Sequence, residues 1–471
     1  MIISHFHKNL EKNYNFTLTK SQNKLLKLLA EFTFCAEEKK VLLVKGYAGT
    51  GKTTMLSGYV RLLSEIKMKY VLLAPTGRAA KVLSAKSGAP ASTIHRKIYR
   101  QKSSKDGFGK FILDKNLHTR TVFIVDEASM ISNETNRDAV FGSGNLLNDL
   151  VDYVYNEKSC SLILVGDPAQ LPPVGSLYSP ALQRSTMDLH GLHVRDIWLI
   201  DVVRQQLQSG ILNNATHLRL CLAKKELQPP FVTTKEFADV VMIKGNEVVE
   251  LIQQSYDKVG EEETLVVTRS NKQANMYNQG IRNTILLRDD ELTPGDLLMV
   301  VKNNYFWIES KNKDSFIANG DSVELLRVKK LYEMFDFRFA DCTIRTLEHE
   351  KEIEAKILLD VIYSETPALD AEKSKSFFYQ VLEDYQHLSP RKKQFEAVKE
   401  DKFFNALQVK FAYAVTCHKA QGGQWKHIYI DLGYITEEMI DAEFIRWLYT
   451  AITRATDKIY LVNFPNYLLK K

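Results

Sequence analysis

Short apolar runs punctuate the first 200 residues at intervals that suit alternating strands and helices. They are VLLVKG (41–46), YVLLAPT (70–76), TVFIVDE (121–127) and SLILVGD (161–167). Each is rich in leucine or β-branched residues and none alternates strictly with polar ones, as expected for strands covered on both faces. Helix-like stretches lie between them, Lys52–Ile66 and Gly77–Ala85 among others. The pattern predicts an α/β unit with a doubly wound parallel sheet over residues 1–200.

The same alternation returns at DVVMI (239–243), TLVVT (264–268), VKFAYAV (409–415), HIYID (427–431) and KIYLVN (458–463). A second such sheet is expected, made from 201–285 and 406–471. The insert between, 286–405, begins β-like (GDLLMVVKNNYFWI, IANGDSVELLRV) and ends in a charged, helix-like stretch over 370–405. An SH3-like β-barrel with a helical extension fits it. There is no repeat at a solenoid period and no low-complexity tract.

A chain of 471 residues, 45% hydrophobic and 25% charged, has room for about three domains and a large core. Its five cysteines (Cys35, Cys160, Cys221, Cys342, Cys417) are scattered and form no CxxC pair. That argues against a zinc ribbon or a disulfide framework and suits a reducing cytoplasm. The N-terminus lacks the apolar stretch of a secretory signal, and no apolar run reaches membrane length, so no membrane partner is expected. The net charge of +6 says little alone about a polyanionic partner.

The sharpest chemical signal is the run from Gly46 to Thr54, GYAGTGKTT, between a predicted strand and a predicted helix. This is the setting a Walker A loop requires. Gly46, Ala48, Gly49, Thr50, Gly51 and Thr54 belong to the loop and first helical turn that would surround ATP phosphates with N–H groups. Lys52 would reach the β- and γ-phosphates, and the Thr53 hydroxyl would hold Mg²⁺. Asp126 and Glu127 end the strand TVFIV, beside such a loop. Asp126 would bind Mg²⁺ through water, and Glu127 would orient and deprotonate the attacking water. Gln170, in a proline-rich turn after the next strand, is placed to sense the γ-phosphate.

Taken together, GYAGTGKTT, APTGRAAKVLS (74–84), STIH (92–95), IVDEASM (124–130) and GDPAQLPPVG (166–175) resemble the helicase motifs of superfamily 1. QLPPV, TCHKAQGGQ (416–424) and LYTAITRA (448–455) resemble its RecD/Dda branch, with the small phage-type Dda helicases nearest in plan. The resemblance spans about 18–463 and implies two RecA-like domains. By matching position it implies an adenine-reading Gln22, a γ-phosphate contact at Arg204 and an arginine finger at Arg454. It also implies a single-strand track of Pro75, Thr76, His95, Thr416, His418 and Lys419, and a turn of Gly422 and Gln424 toward the nucleotide. Val203 stands where the UvrD branch has an aromatic that stacks on adenine, so any stacking must come from elsewhere. Residues 96–120 match the place of the branch's strand-separating pin, with Phe111 as its ring and Phe108 as a rival; a lysine-rich surface loop with a buried Phe is the competing reading.

The function implied is ATP-dependent 5′–3′ movement on single-stranded DNA with unwinding at single-strand/duplex junctions, by a monomer. An RNA helicase of the same superfamily is the alternative. A nucleotide-dependent binding switch without motor activity is a second alternative, disfavoured because Glu127, Arg204 and Arg454 are all present.

Overall fold

Six strands form the first sheet: β1 (Lys40–Gly46), β2 (Tyr70–Ala74), β3 (Ala91–Thr93), β6 (Val122–Val125), β7 (Ser161–Gly166) and β8 (His193–Leu199). They pair in parallel in the order β3-β2-β6-β7-β1-β8. The computed structural model describes residues 2–101, 111–135, 141–156, 159–201, 209–229, 231–235, 237–304, 306–308, 317–347 and 350–470. A short antiparallel pair, β4 (Tyr99–Gln101) and β5 (Phe111–Leu113), branches off this sheet. The β1, β6 and β7 strands are buried throughout, which is why they read as unbroken apolar runs. β8 went unread because it is an edge strand whose exposed face carries Asp196 and Trp198.

The second sheet is also parallel: β9 (Val240–Ile243), β10 (Thr264–Thr268), β16 (Ala414–Thr416), β17 (Trp425–Asp431) and β18 (Ala455–Val462), in the order β16-β10-β17-β18-β9. Between β10 and β16 the chain builds a closed barrel from β11 (Leu297–Val300), β12 (Ser322–Met334), β13 (Phe337–Thr346), β14 (Glu352–Leu358) and β15 (Leu407–Phe411). Helices Ala371–Asp384 and Arg391–Lys399 follow β14 and bury Phe377, Phe378 and Val398 against Phe337 and Phe339.

One strand expectation is corrected. The run 409–415 is not a single strand of the second sheet: β15 closes the barrel and β16 starts the sheet. Asn278 enforces the break. Its amide donates to the carbonyls of Phe411 (3.3 Å) and Ala414 (2.9 Å), and its Oδ1 accepts from Ala414 N–H (2.8 Å). Among the described residues no helix is long and apolar enough to cross a membrane.

The two parallel sheets meet along a seam. Ala169 and Leu171, from the loop after β7, are buried in the second sheet's hydrophobic cluster. Leu171 N–H donates to Thr450 Oγ1 (2.9 Å), and Gln421 Nε2 donates to Leu171 O (2.8 Å).

Candidate nucleotide site and nucleic-acid groove

β1 delivers its last residue, Gly46, directly into the glycine-rich loop, and the helix Lys52–Glu65 starts where the loop ends. Gly49 and Gly51 have φ of +75° and +84°, a conformation side chains adopt only with strain. A Cβ on Gly51 would lie 2.9 Å from Gln22 Nε2. Gln22 is itself buried: its Oε1 accepts from Thr19 N–H (2.9 Å) in a capping box, and its Nε2 donates to Thr50 O (3.0 Å). Thr50 closes the loop through Oγ1 to Tyr47 O (2.7 Å). The Lys52 ammonium lies across the loop, donating to the carbonyls of Gly46 (2.9 Å) and Tyr47 (3.1 Å). Thr54 sits on the exposed side of the first helical turn.

Asp126 follows β6 and accepts from Thr53 Oγ1 at 3.3 Å. Burial, and then the charge of Glu127, push the Asp126 carboxyl up to about 6, against the pull of Lys52 and Thr53. Glu127 has left-handed backbone, φ +53°, unusual for a residue with a side chain. Its Oε2 and the Oε1 of Gln170 are buried polar atoms without a hydrogen-bond partner among the described residues. Orphaned buried acceptors of this kind demand an explanation. Two adjacent carboxylates, a hydroxyl and an amide oxygen are a hard-oxygen set that suits Mg²⁺, which takes one or two carboxylates and fills the rest with phosphate and water. The residues present therefore fit a magnesium–phosphate group.

The second domain reaches this site through the helix Ala442–Ile452. Tyr449 accepts a hydrogen bond from Ala48 N–H (2.9 Å) and donates to Asp167 Oδ2. Arg446 Nη1 donates to Pro168 O. Arg454 is buried and, among the described residues, bonds within its own domain: Nε to Thr450 O (3.1 Å), Nη1 to Gly423 O (3.2 Å) and Nη2 to Thr453 Oγ1 (3.3 Å). Arg204, Val203 and Phe108 lie outside the described residues. Gly422 and Gln424 lie against the helix Gly77–Ser87, while Gly423 O between them accepts from Arg454. A Cβ on Gly422 would meet Ala79 Cβ at 2.9 Å and Thr76 Oγ1 at 3.0 Å. Gln424 accepts from Arg78 and Lys86, both at 3.3 Å. The helix Gly77–Ser87 holds this segment, with Arg78 stacked 3.8 Å over Trp425.

A cavity of about 420 Å³ is bordered by Pro75, Thr76, His95, His418 and Lys419. Thr76 caps the helix Gly77–Ser87 by accepting from Ala79 N–H (3.2 Å), which leaves its hydroxyl proton available to donate. Thr416 opens the short helix Cys417–Ala420 with its hydroxyl uncommitted to a cap. It lines an adjoining shallow depression shared with Lys410 and Lys419. Burial pushes His95 down to about 4 and lowers His418, so both imidazoles are neutral at pH 7. Burial also pushes Lys419 down to about 8, with Lys410 adding to the shift. Phe111 is no exposed pin: it is 8% exposed and stacks on Phe141, centroids 4.7 Å apart. Its place in β5, paired with β4 and packed under the sheet, turns the ring into the core.

An AAA domain model matches residues 17–220, and a UvrD-like helicase C-terminal domain model matches 411–462. The two models fall on the two parallel sheets that form the seam. Together with a RecD2 relative, the two matches support a superfamily 1 helicase of the RecD-like branch. Over 135 residues it is 33% identical to the ATP-dependent RecD2 DNA helicase of Deinococcus radiodurans, covering 29% of this chain and 16% of that one. An uncharacterized protein of Acanthamoeba polyphaga mimivirus is 24% identical over 93% of this chain and 97% of its own. A Pif1 helicase from Bacteroides, in complex with ADP-AlF3 and ssDNA, is 14% identical and covers 97% of this chain and 95% of its own, at a TM-score of 0.48.

Further groups near the site are assembled only by the fold. Tyr449 stood inside a quoted motif, but its partners are 401 and 282 residues away. Asn303, Asn319 and Gly320, from the barrel, border the cavity, and no local pattern ties them to it. Arg78 carried a signal, as a cation in the motif after β2, but its aromatic partner Trp425 belongs to the other sheet.

Proposed function

We propose that the chain is an ATP-hydrolysing motor that moves 5′ to 3′ along single-stranded DNA and opens duplexes at single-strand/duplex junctions. One observation carries this reading: the phosphate-type loop and the groove border the same seam between two parallel sheets. A change in how the sheets meet therefore reaches both. In this reading the loop N–H groups and Lys52 hold the ATP phosphates, Gln22 reads the base and Gln170 senses the γ-phosphate. Thr53 and Asp126 hold Mg²⁺, which neutralises charge on the phosphates. Glu127 takes the proton of the attacking water. Arg454 exchanges its bonds within the second domain for the γ-phosphate when the seam closes, and Arg204 assists by its place in the family's motif.

The groove residues Pro75, Thr76, His95, Thr416, His418 and Lys419 grip a strand through phosphates rather than base edges. The motor works as a monomer in the cytoplasm. Strand displacement from duplexes with a 5′ or a 3′ tail tests the reading, with matched RNA tails as a second arm. Displacement confined to 5′-tailed DNA is expected. A 3′ preference would overturn the polarity. Stimulation of hydrolysis by RNA in place of DNA would favour an RNA helicase.

A further inference from the structure

The structure assigns to Tyr449 the part of a positioning residue that links the phosphate loop to the second domain; the assignment rests on the ATPase reading above. Among the described residues, the Ala48 N–H to Tyr449 Oη bond is the one hydrogen bond from the second parallel sheet's domain onto the backbone of the loop 46–52. The same hydroxyl donates to Asp167 Oδ2, while Asp167 Oδ1 accepts from Ala169 N–H (2.9 Å). Tyr449 and Asp167 are both fully buried, so water does not substitute for either partner. Asp167 feels the charges of Lys52 and Glu127, the two groups that meet the triphosphate and the attacking water.

One phenol thus touches the loop that grips phosphate and an acid within electrostatic reach of the reacting centre. It sits on the last turns of the helix that leads into Arg454. A triphosphate that draws Lys52 off the carbonyls of Gly46 and Tyr47 changes the field at Asp167 and the geometry at Ala48 together. Tyr449 passes both changes to that helix, and so to the arginine that must swing into the site.

The test uses the full chain and separates positioning from plain domain docking. Tyr449→Phe keeps the ring and removes the hydroxyl. The DNA-stimulated kcat is expected to fall about tenfold to a hundredfold, the equivalent of one lost hydrogen bond to a charged group, with the KM for ATP little changed. Thr450→Val, which removes the neighbouring inter-domain bond from Leu171 N–H, is expected to cost far less in kcat. Because Tyr449 works through Asp167, the double variant Tyr449→Phe/Asp167→Ala should be no slower than the slower single variant. If Tyr449→Phe does not fold, Asp167→Ala alone must show the same split of kcat from KM. Equal losses for Tyr449→Phe and Thr450→Val, or fully additive losses in the double variant, would overturn the assignment. Absence of ATP hydrolysis by the unaltered protein would overturn the ATPase reading as well.

Discussion

On one side of the seam, a single unbroken stretch, Gly46–Lys52, shapes the phosphate loop, and Asp126–Glu127 and Gln170 complete the site from adjacent strand ends. On the other side, Pro75, His95, Asn303, Gly320 and His418 converge from well-separated segments of two sheets and a barrel. The nucleotide side is polar and tightly bonded, and among the described residues it holds two orphaned buried acceptors. The groove side is an open cavity with neutral imidazoles and a desolvated lysine. Cleaving a phosphoanhydride needs atoms held within fractions of an ångström, which contiguous backbone supplies. Gripping a repeating polyanion needs several weak contacts, none of them indispensable. Substitutions should therefore fall steeply on one side and shallowly on the other.

The largest effect is expected at Glu127. Glu127→Gln should cut steady-state ATP turnover by about a hundred- to ten-thousandfold while nucleotide and strand binding persist. Near-normal turnover would remove the water-activating role and much of the contrast. Lys52→Ala should lose nucleotide affinity as well, so equilibrium binding separates the two variants.

Arg454→Ala sharpens the comparison from across the seam. A loss of about a thousandfold in kcat, near 4 kcal/mol, is expected with ATP affinity largely kept. An effect on affinity alone would mean that Arg454 stays in its present bonds to Thr450, Gly423 and Thr453.

Phe111→Ala asks whether the hairpin belongs to the groove or to the core. Its burial predicts a stability loss of about 3 kcal/mol, seen as a lower melting temperature, with hydrolysis and unwinding falling together. Loss of unwinding alone, with stability and ATPase intact, would restore the pin reading.

The smallest effect belongs to Lys419→Ala. Losing one phosphate contact should reduce the salt dependence of single-strand affinity by about 0.7 in log–log slope. The sign of the pH effect follows from a lysine held down to about 8 in the free protein. A bound phosphate favours the charged form and raises that value. Affinity should be full below about pH 8 and decline as pH rises through and beyond it, and Lys419→Ala should flatten the profile.

The contrast between the sides also explains what could be read from the chain. The phosphate loop was legible because its chemistry demands neighbouring residues in a fixed order, and Asp126–Glu127 because a buried strand must end at the site. The contacts of Gln424 with Arg78 and Lys86 were not legible, because position in a motif fixes a residue along the chain and not the partners that another domain's helix brings to it. The run 409–415 looked like one strand because apolar pattern does not report a turn imposed by Asn278, more than a hundred residues earlier. Phe111 carried no local mark of burial, since its stacking partner Phe141 is brought in by tertiary packing.

The left-handed backbone at Glu127 sets activity against durability. A residue with a side chain at φ +53° carries strain of order 1–3 kcal/mol that glycine or asparagine would largely relieve. Beside it, Asp126 is buried against a second negative charge that such a replacement would also remove. Glu127→Gly and Glu127→Asn should therefore melt higher than the unaltered protein while hydrolysing ATP far more slowly. A variant that melts higher yet turns over ATP slowly would assign the acid to the chemistry rather than to the fold.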